Sequence, residues 1–328
     1  MEKVYEVFER GIKREFKDVM IVEDAVSALD IYEYVVTKNV ETILGTFFSY
    51  FFDDKELYPN LKMKCQFLQD YYRDRVGPGV WIRGFFGAGK SHFLKVLNTL
   101  LTTKEINYIN EKNEETQINV SSEVRKKISS TDVGNKISDI MANINPEDYL
   151  TFMFSSKHVT RFGEAITDAL PRIIGEKLFG DSLSLAKENF TAKEVADLLH
   201  KWLKESGKKR MIIFIDEILD VLDTGEKVRK FEALIELLSK DIWLVVTSLE
   251  AKTKLLEVNT AERMKDRFGT ELLLLPEEMV KIVRDRYLVK KSEAEAVIVS
   301  KIETEDKYKY LFPKSYSGDS EDGAINKS

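Results

Sequence analysis

The segment Gly84-Phe85-Phe86-Gly87-Ala88-Gly89-Lys90-Ser91 constrains the fold of this chain more than any other feature. It matches the pattern G-x-x-x-x-G-K-[ST] in full. The glycines let the backbone curl so that successive N–H groups point at phosphate oxygens, and a helix that begins after the loop adds its partial positive charge. A parallel α/β sheet that presents this loop is therefore expected. The alternative is a glycine-rich turn without a ligand.

The loop and its flanks supply the predicted nucleotide-binding residues. A short apolar strand at residues 80–83 precedes the loop and a helical pattern at residues 91–101 follows it, as this motif requires. ATP and Mg²⁺ are the predicted cofactors, with Lys90 at the β- and γ-phosphates and the Ser91 hydroxyl as a metal ligand. The predicted nucleotide-binding set is Gly84, Gly87, Ala88, Gly89, Lys90, Ser91 and His92. The His92 side chain itself fits a packed or solvated helix position better than a catalytic role.

A pair of acids follows a second apolar strand. Residues 211–215 form a continuous apolar run, which is typical of a strand buried on both faces, and Asp216 and Glu217 follow directly. Ligands of open α/β sheets bind at the carboxyl ends of the strands. We therefore predict that Asp216 holds Mg²⁺ through water and that Glu217 is catalytic, orienting and polarising the attacking water. The alternative is that the two acids only end the strand.

The order Asp-Glu favours P-loop ATPases that carry their own catalytic glutamate over kinases. In that class an additional strand lies between the P-loop strand and the strand that ends in the acids, and residues 242–246 are predicted to be this strand. Thr247 follows it and is the predicted catalytic sensor, which hydrogen-bonds the attacking water or the γ-phosphate; a strand-end cap is the alternative. Two rival P-loop classes are discounted: GTPases, because N-K-x-D lacks its Asp at residues 135–138, and ABC transporter ATPases, because no L-S-G-G-Q signature is present. Adenine is inferred from the class and not from a residue that reads the base.

An arginine completes the predicted catalytic set. Arg263 and Arg267 lie near the end of a helical pattern at residues 250–268, just before the last predicted strand. In oligomeric ATPases of this type, an arginine at this place reaches the neighbour's nucleotide and stabilises charge on the transferring phosphoryl group. Arg267 is the preferred residue, and a surface salt bridge is an equally compatible alternative.

The order of the elements predicts the fold class. Apolar strands alternate with helices, which implies crossover connections and a parallel sheet. The predicted strands are residues 80–83, 149–154, 211–215, 242–246 and 272–275, and the predicted core helices are residues 91–101, 162–178, 226–240 and 250–268. Residues 103–146 are polar and weakly periodic, and an insertion of loops and short helices is predicted there. The fold class is therefore α/β: a three-layer P-loop NTPase of the AAA+ or additional-strand type, with a parallel sheet and an N-terminal helical arm.

Three regions are predicted along the chain. Residues 1–75 are the N-terminal helical arm, 76–290 the P-loop ATPase core, and 291–328 the start of a truncated lid with a disordered tail. One helix of the arm carries apolar residues at three- and four-residue steps, which places them on one face. These residues are Val40, Ile43, Leu44, Phe47, Phe48, Phe51 and Phe52. We expect this face to pack on the core, because the opposite face carries Glu41 and Ser49 rather than the Lys and Arg of a membrane-surface helix.

Composition narrows the class of protein further. The chain of 328 residues is 43% hydrophobic and 32% charged, which is ordinary for a globular protein with a large core. Cys65 is the only cysteine, which excludes an intramolecular disulfide and a cysteine-ligated zinc site and favours a cytoplasmic, reducing compartment. No signal peptide or membrane-spanning apolar run is present, so no membrane partner is expected. The net charge of −6 does not favour electrostatic binding of nucleic acid. No C2H2 finger or RNP1-like segment occurs either, so the sequence does not assign a direct contact with DNA.

Residues 79–94 resemble a known P-loop segment, that of the large ATPase component (the C component) of BREX phage-exclusion systems. The family typically shows G-V-W-I-S-G-F-F-G-S-G-K-S-H-F, and this chain has G-V-W-I-R-G-F-F-G-A-G-K-S-H-F. Shorter similarities occur at Glu33-Tyr34-Val35-Val36-Thr37, Ile242-Trp243-Leu244-Val245-Val246-Thr247 and Asp266-Arg267-Phe268. The similar segments are scattered from about residue 7 to residue 290 and so cover most of the chain.

The resemblance implies an AAA+-like ATPase that serves in bacterial or archaeal defence against phage. The expected partners are the other subunits of a phage-defence complex, which includes a DNA methyltransferase, and a homo-oligomer is compatible with the class. The family roles fall on the residues already assigned: Lys90 and Ser91 at phosphate and Mg²⁺, and Asp216 and Glu217 at Mg²⁺ and water.

Family members are far longer than this chain. The helical lid expected after an AAA+ core is only begun at residues 276–289, and the tail from Lys314 does not resemble the family. The expectation is a truncated gene product or a short paralogue that retains nucleotide binding, because the phosphate loop is complete. Loss of the lid would weaken hydrolysis and oligomerisation. The alternative function is therefore a nucleotide-binding scaffold, or a truncated product, with little or no hydrolysis.

Overall fold

The computed structural model describes residues 27–52, 78–109, 115–159, 164–180, 189–251, 267–268 and 270–274. All of these residues belong to one of the two compact units into which the chain divides. Several predictions lie outside the described residues: those for Cys65, Arg263, the lid start at 276–289 and the tail from Lys314. Parts of the N-terminal arm and of the helix predicted at 250–268 also lie outside them.

Five parallel strands form the central sheet. In chain order, the strands of the described residues are β1 Gly79–Gly84, β2 Glu105–Ile109, β3 Glu115–Asn119, β4 Tyr149–Ser155, β5 Arg210–Asp216, β6 Ile242–Leu249 and β7 Thr270–Leu274. The order across the main sheet is β4-β5-β6-β1-β7, and each neighbouring pair is parallel. β6 therefore lies between the strand before the phosphate loop and the strand that ends in Asp216, which confirms the predicted additional strand.

Helices cover both faces of this sheet. They are α1 Ala28–Tyr32, α2 Lys38–Phe52, α3 Lys90–Thr102, α4 Val120–Arg125, α5 Asp132–Ala142, α6 Ser156–Val159, α7 Ile166–Phe179, α8 Ala192–Ser206 and α9 Gly225–Leu237, with short 3₁₀ segments at Pro146–Asp148 and Ile218–Asp220. One hydrophobic core joins the sheet to α7, α8 and α9, and the other joins it to α2, α3, α4 and α5. The predicted three-layer α/β fold of a P-loop NTPase is confirmed.

The strand β5 shows why its sequence is a continuous apolar run. Ile213 and Ile215 belong to the core on the α7–α9 side, whereas Ile212 and Phe214 belong to the core on the α2–α3 side. All four side chains are fully buried. A strand that is buried on both faces has no position for a polar residue until it leaves the sheet, and the first one is Asp216.

The helix boundaries follow local sequence signals. α8 begins with a capping box, in which the Thr191 N–H donates to Glu194 Oε2 at 2.8 Å and the Glu194 N–H donates to Thr191 Oγ1 at 3.3 Å. It ends at Gly207, which has a φ angle of 67° and adopts the left-handed conformation that terminates many helices. These two signals set the length of a helix that packs against the β5 face.

The apolar face predicted for the arm helix is buried except at Phe52, which is half-buried, whereas Ser49, predicted on the opposite polar face, is fully buried as well. The apolar face lies on α2, where Phe47 is 0% exposed and stacks on Phe51 with ring centroids 5.3 Å apart. Phe51 also meets Trp243 of β6 at 5.1 Å. The Arg210 guanidinium lies 4.7 Å from the Phe51 ring centroid and donates to the Phe51 carbonyl oxygen, which ends the helix. α2 is therefore a layer of the core. In the described part of the chain, no helix has the length and apolar character needed to cross a bilayer.

The insertion at residues 103–146 differs in part from the prediction. It contains the expected short helices α4 and α5, but also the antiparallel hairpin of β2 and β3. Ile106 and Ile118 pair across this hairpin and pack against the core, while neighbouring positions carry polar residues such as Asn107 and Gln117. β3 contains one apolar residue, Ile118, which is too few to produce a clear alternating pattern, so the hairpin was not predicted.

Candidate functional site

The phosphate loop joins β1 to α3 at the carboxyl edge of the sheet. Gly87 and Gly89 have φ angles of 76° and 83°, a left-handed conformation that a side chain with a Cβ would strain. The Ala88 N–H donates to the Phe85 carbonyl oxygen at 3.2 Å and closes a turn inside the loop. α3 begins at Lys90, so its N-terminal N–H groups face the loop. The loop therefore has the curl that a phosphate group requires.

The Lys90 side chain lies across the inside of this loop. Its Nζ donates to the Gly84 carbonyl oxygen at 3.3 Å and to the Phe85 carbonyl oxygen at 2.9 Å, and the residue is only 6% exposed. Burial lowers the pKa of Lys90, while the negative charges of Asp216 and Glu217 act in the opposite direction. Lys90 is thus a buried group within electrostatic reach of two carboxylates.

A chain of hydrogen bonds runs from α3 across the ends of β5 and β6. Ser91 Oγ donates to Asp216 Oδ2 at 2.6 Å, and Thr247 Oγ1 donates to Asp216 Oδ1. The Glu217 N–H in turn donates to Thr247 Oγ1 at 3.0 Å. The three elements meet because β6 lies between β1 and β5 in the sheet. The structure therefore brings together four residues that the sequence predicted for the site.

Thr247 orients both acids in this arrangement. Its side chain is completely buried, and a hydroxyl has one proton and two lone pairs. The proton lies on the Asp216 side, and a lone pair accepts from the Glu217 N–H. The hydroxyl proton is thus already used within the protein. The sensor role, in which Thr247 contacts water or the γ-phosphate, stays a prediction.

Glu217 is the only residue besides glycine that has a positive φ angle in the described ranges, at φ 56° and ψ 41°. This conformation costs about 1–2 kcal/mol for an L-residue. Its N–H is held by Thr247, and its carbonyl oxygen accepts from Ser156 Oγ at 2.8 Å and from the Asp220 N–H at 2.9 Å. A strained residue that is held on both sides of its backbone, at the ligand-binding edge of a sheet, indicates a functional site.

Ser156, Lys157 and Asp220 are residues of the site that the sequence did not reveal. Lys157 Nζ lies 2.7 Å from Asp220 Oδ2 and 3.5 Å from Glu217 Oε2. Ser156 and Lys157 follow β4 directly, and β4 pairs with β5 so that Ser155 lies opposite Asp216. The sequence shows only that Ser156 and Lys157 are polar residues after a strand. Their place in the site becomes clear once β4 is known to lie beside β5.

Two predicted residues lie away from this cluster. His92 Nε2 is 2.9 Å from the Asp30 carbonyl oxygen, and its ring packs edge-on against Tyr34, with centroids 4.8 Å apart. Arg267 Nε is 2.7 Å from Glu236 Oε1, and both side chains are substantially exposed. His92 is thus a packed helix residue and Arg267 forms a surface salt bridge. Contact of His92 with nucleotide, and of Arg267 with a neighbour's nucleotide, stay predictions.

The oxygen atoms of the site suit the Mg²⁺ of a nucleotide complex. Ser91 Oγ and Asp216 Oδ2 are 2.6 Å apart, so both can approach one ion. Mg²⁺ keeps several waters and is usually held by one or two protein oxygens together with phosphates. No group of three or more His, Cys, Asp or Glu side chains that could hold a metal occurs in the described part of the chain. The residues therefore fit an ion that binds together with phosphates.

Comparison with known proteins identifies distant structural similarities. No protein-family model matches this chain. Cdc6p from Pyrobaculum aerophilum is 15% identical, with 67% of this chain and 46% of that chain covered and a TM-score of 0.34. A Walker-type ATPase of Pyrococcus abyssi is 13% identical, with 72% and 60% covered and a TM-score of 0.31. The chain thus spans less than two thirds of either protein's length, and the fold assignment rests on its own strand order.

Proposed function

We propose that this chain binds ATP with Mg²⁺ at residues 84–91 and hydrolyses it. The observation that carries the proposal is the hydrogen-bonded chain that begins at Ser91 and ends at Glu217, beside the glycine-rich loop. A phosphate loop alone would support only binding. A glutamate held in a strained conformation next to the Mg²⁺-type aspartate adds the group that activation of water requires.

Each residue has one task in this proposal. The loop N–H groups and Lys90 bind the phosphates, and Lys90 exchanges its two carbonyl partners for phosphate oxygens. Ser91 and Asp216 would hold Mg²⁺, which would neutralise phosphate charge. Glu217 accepts one proton of the attacking water while the water oxygen forms a bond to the γ-phosphorus. The bond from the γ-phosphorus to the bridging oxygen breaks, and ADP and phosphate leave. Thr247 keeps Asp216 and Glu217 aligned.

The proposal includes a homo-oligomer in which Arg267 contacts the nucleotide of a neighbouring copy. Arg267 is paired with Glu236, but an exposed ion pair contributes only about 0–1 kcal/mol, so the arginine can change partners at little cost. An arginine supplied in this way stabilises the charge of the transferring phosphoryl group. The alternative is a nucleotide-binding scaffold that hydrolyses little ATP.

ATP binding and phosphate release by the purified chain, measured over a series of protein concentrations, test the proposal. Lys90→Ala is the matched variant, because it removes the ammonium inside the loop. We expect wild type to bind Mg-ATP and Lys90→Ala to lose binding at least about tenfold, since charged hydrogen bonds contribute about 1.5–3 kcal/mol each. Turnover per subunit should rise with concentration. Binding without turnover at any concentration would support the scaffold, and equal binding by both proteins would contradict the proposed site.

We also propose that the ATPase acts in the cytoplasm within a BREX-type phage-defence complex, with the other defence subunits as partners. Support comes from the resemblance of residues 79–94 to that family. The segment departs from the family at Arg83 and Ala88, where the family has serine. The Arg83 guanidinium pairs with Glu250, directly after β6, and with Glu271 on β7. A host that carries the chain together with the other genes of a BREX-type system should restrict phage plating, and the Lys90→Ala version should not. Equal plating on both hosts would refute the defence role.

A further inference from the structure

Lys157 bridges two carboxylates at the edge of the site. It lies on α6, directly after β4, and its side chain is 56% exposed. Its Nζ is 2.7 Å from Asp220 Oδ2, whose side chain is 4% exposed, and 3.5 Å from Glu217 Oε2. The loop motif and the acidic pair do not include this lysine. One ammonium thus connects the proposed catalytic carboxylate to a buried neighbour.

We propose that Lys157, anchored by Asp220, is a positioning residue that holds the Glu217 carboxylate directed toward the phosphate loop. The inference rests on the proposed hydrolysis of ATP, since it assigns a residue that prepares the group that activates water. Lys157 itself does not contact nucleotide in this account.

Asp220 is the anchor of the arrangement. A buried carboxylate needs a cation or hydrogen-bond donors to offset its loss of water, and Lys157 supplies the cation. The hydrogen bond to Asp220, then the charge of Asp220 and that of Glu217, raise the pKa of Lys157. The shorter contact, with Asp220, therefore holds Lys157 in place and keeps it charged. The longer contact, with Glu217, lets Lys157 hold the Glu217 carboxylate.

The same short helix also fixes the backbone of Glu217. Ser156 Oγ donates to the Glu217 carbonyl oxygen at 2.8 Å, one residue before Lys157. Thr247 holds the N–H of Glu217 from the other side. Glu217 is thus held at its N–H, its carbonyl oxygen and one carboxylate oxygen. Because a carboxylate has two accepting oxygens, this arrangement leaves accepting capacity for a water.

Glu217 lies within electrostatic reach of two lysines, and this sets the expected direction of the effect. Its negative charge acts on Lys90 inside the loop as well as on Lys157 at the rim. A contact that withdrew the carboxylate from the site would separate it from Lys90. Lys157 therefore holds Glu217 in a working position, and its removal should slow hydrolysis rather than accelerate it.

Steady-state ATP hydrolysis and ATP affinity of Lys157→Met, Lys157→Arg and a control variant test the inference. The control is Lys201→Met, because Lys201 is similarly exposed and pairs with Glu205 on α8. We expect Lys157→Met to lower kcat on the order of 10²-fold, as misplacement of a reacting group by about 1 Å does, with ATP affinity changed less than about twofold. Lys157→Arg should restore most of kcat, and Lys201→Met should behave as wild type. Unchanged or faster turnover by folded Lys157→Met would overturn the inference.

A second measurement does not depend on hydrolysis. The pKa of Lys157 can be read by NMR from ¹³C-methylated lysine side chains in wild type, Glu217→Gln and Asp220→Asn. Both substitutions should lower the pKa of Lys157, and Asp220→Asn should lower it more, because the hydrogen bond to Asp220 is the largest cause of its rise. No change in Glu217→Gln would overturn the contact. If wild type released no phosphate, the proposed function would fail, and this titration would still decide the pairing.

Discussion

Glu217 carries backbone strain that the surrounding side chains sustain. Its left-handed conformation is held by hydrogen bonds from Ser156 and to Thr247, neither of which would be needed by a residue that only ends a strand. Residues in such conformations cluster at sites where the strain serves function. The backbone of Glu217 therefore costs stability in return for the placement of its carboxylate.

Replacing Glu217 by glycine and by alanine measures this strain. Both variants lose the carboxylate, but only glycine adopts a positive φ angle without steric cost. We expect Glu217→Gly to unfold at a higher urea concentration than Glu217→Ala, with a difference of about 1 kcal/mol. The same pair of changes at the exposed helical Glu205 is the control, where glycine should be less stable by up to about 1 kcal/mol. The reverse order at Glu217 would show that its backbone is not strained.

Residue type and spacing were sufficient to predict part of the site. Ser91 belongs to a fixed motif, and Asp216 and Glu217 stand where an apolar strand ends, so each could be located from its neighbours in the chain. Lys157 and Asp220 could not, because their role depends on β4 lying beside β5. A local pattern identifies a side chain, whereas a contact between distant segments requires the strand order.

At the scale of elements, α2 belongs to the core of the sheet. Phe47 and Phe51 pack in the same hydrophobic core as Val80 and Ile82 of β1, and Asn39 Nδ2 donates to the Leu273 carbonyl oxygen of β7 at 3.2 Å. The helix thus shares a hydrophobic core with the strand that carries the phosphate loop. Undocking α2 would expose part of this core to water and so destabilise the sheet.

Phe47→Ala tests the contribution of α2 to stability. We expect a loss of about 3–5 kcal/mol in the free energy of unfolding, because a fully buried phenylalanine is replaced by a cavity. Leu29→Ala on α1 is the control: Leu29 is 46% exposed, and its removal should change stability by less than about 0.5 kcal/mol. Denaturant unfolding followed by circular dichroism compares the two. Similar stabilities of both variants would mean that α2 is not packed on the sheet.

The elements with the strongest patterns were the ones predicted correctly. β5 and β6 are continuous apolar runs because both faces of the sheet are covered, and the sequence shows this directly. In the hairpin of β2 and β3, Ile106 and Ile118 pack against the core, and β3 has no other apolar residue, so the pattern of this hairpin is weak. Buried positions require apolar residues, so a well-buried element has a clear hydrophobic pattern in its sequence. An element with few buried side chains has a weak pattern.

At the scale of the whole molecule, strand order assembles the site. With β6 placed between β1 and β5, the loop, the acidic pair and Thr247 meet at one edge of the sheet. β4 on the far side of β5 adds Ser156 and Lys157. Residues from four separate parts of the chain thus meet at one edge of the sheet. We propose that this assembly hydrolyses ATP by means of Glu217.

The most direct test of that claim compares wild type with Glu217→Gln for Mg-ATP binding and phosphate release in the same preparation. Glutamine keeps the shape of the side chain but cannot accept the proton of the attacking water. We expect Glu217→Gln to bind ATP as tightly as wild type, to release phosphate at least about 10²-fold more slowly, and to yield bound nucleotide that is recovered as ATP. Phosphate release by Glu217→Gln at the wild-type rate would contradict the claim.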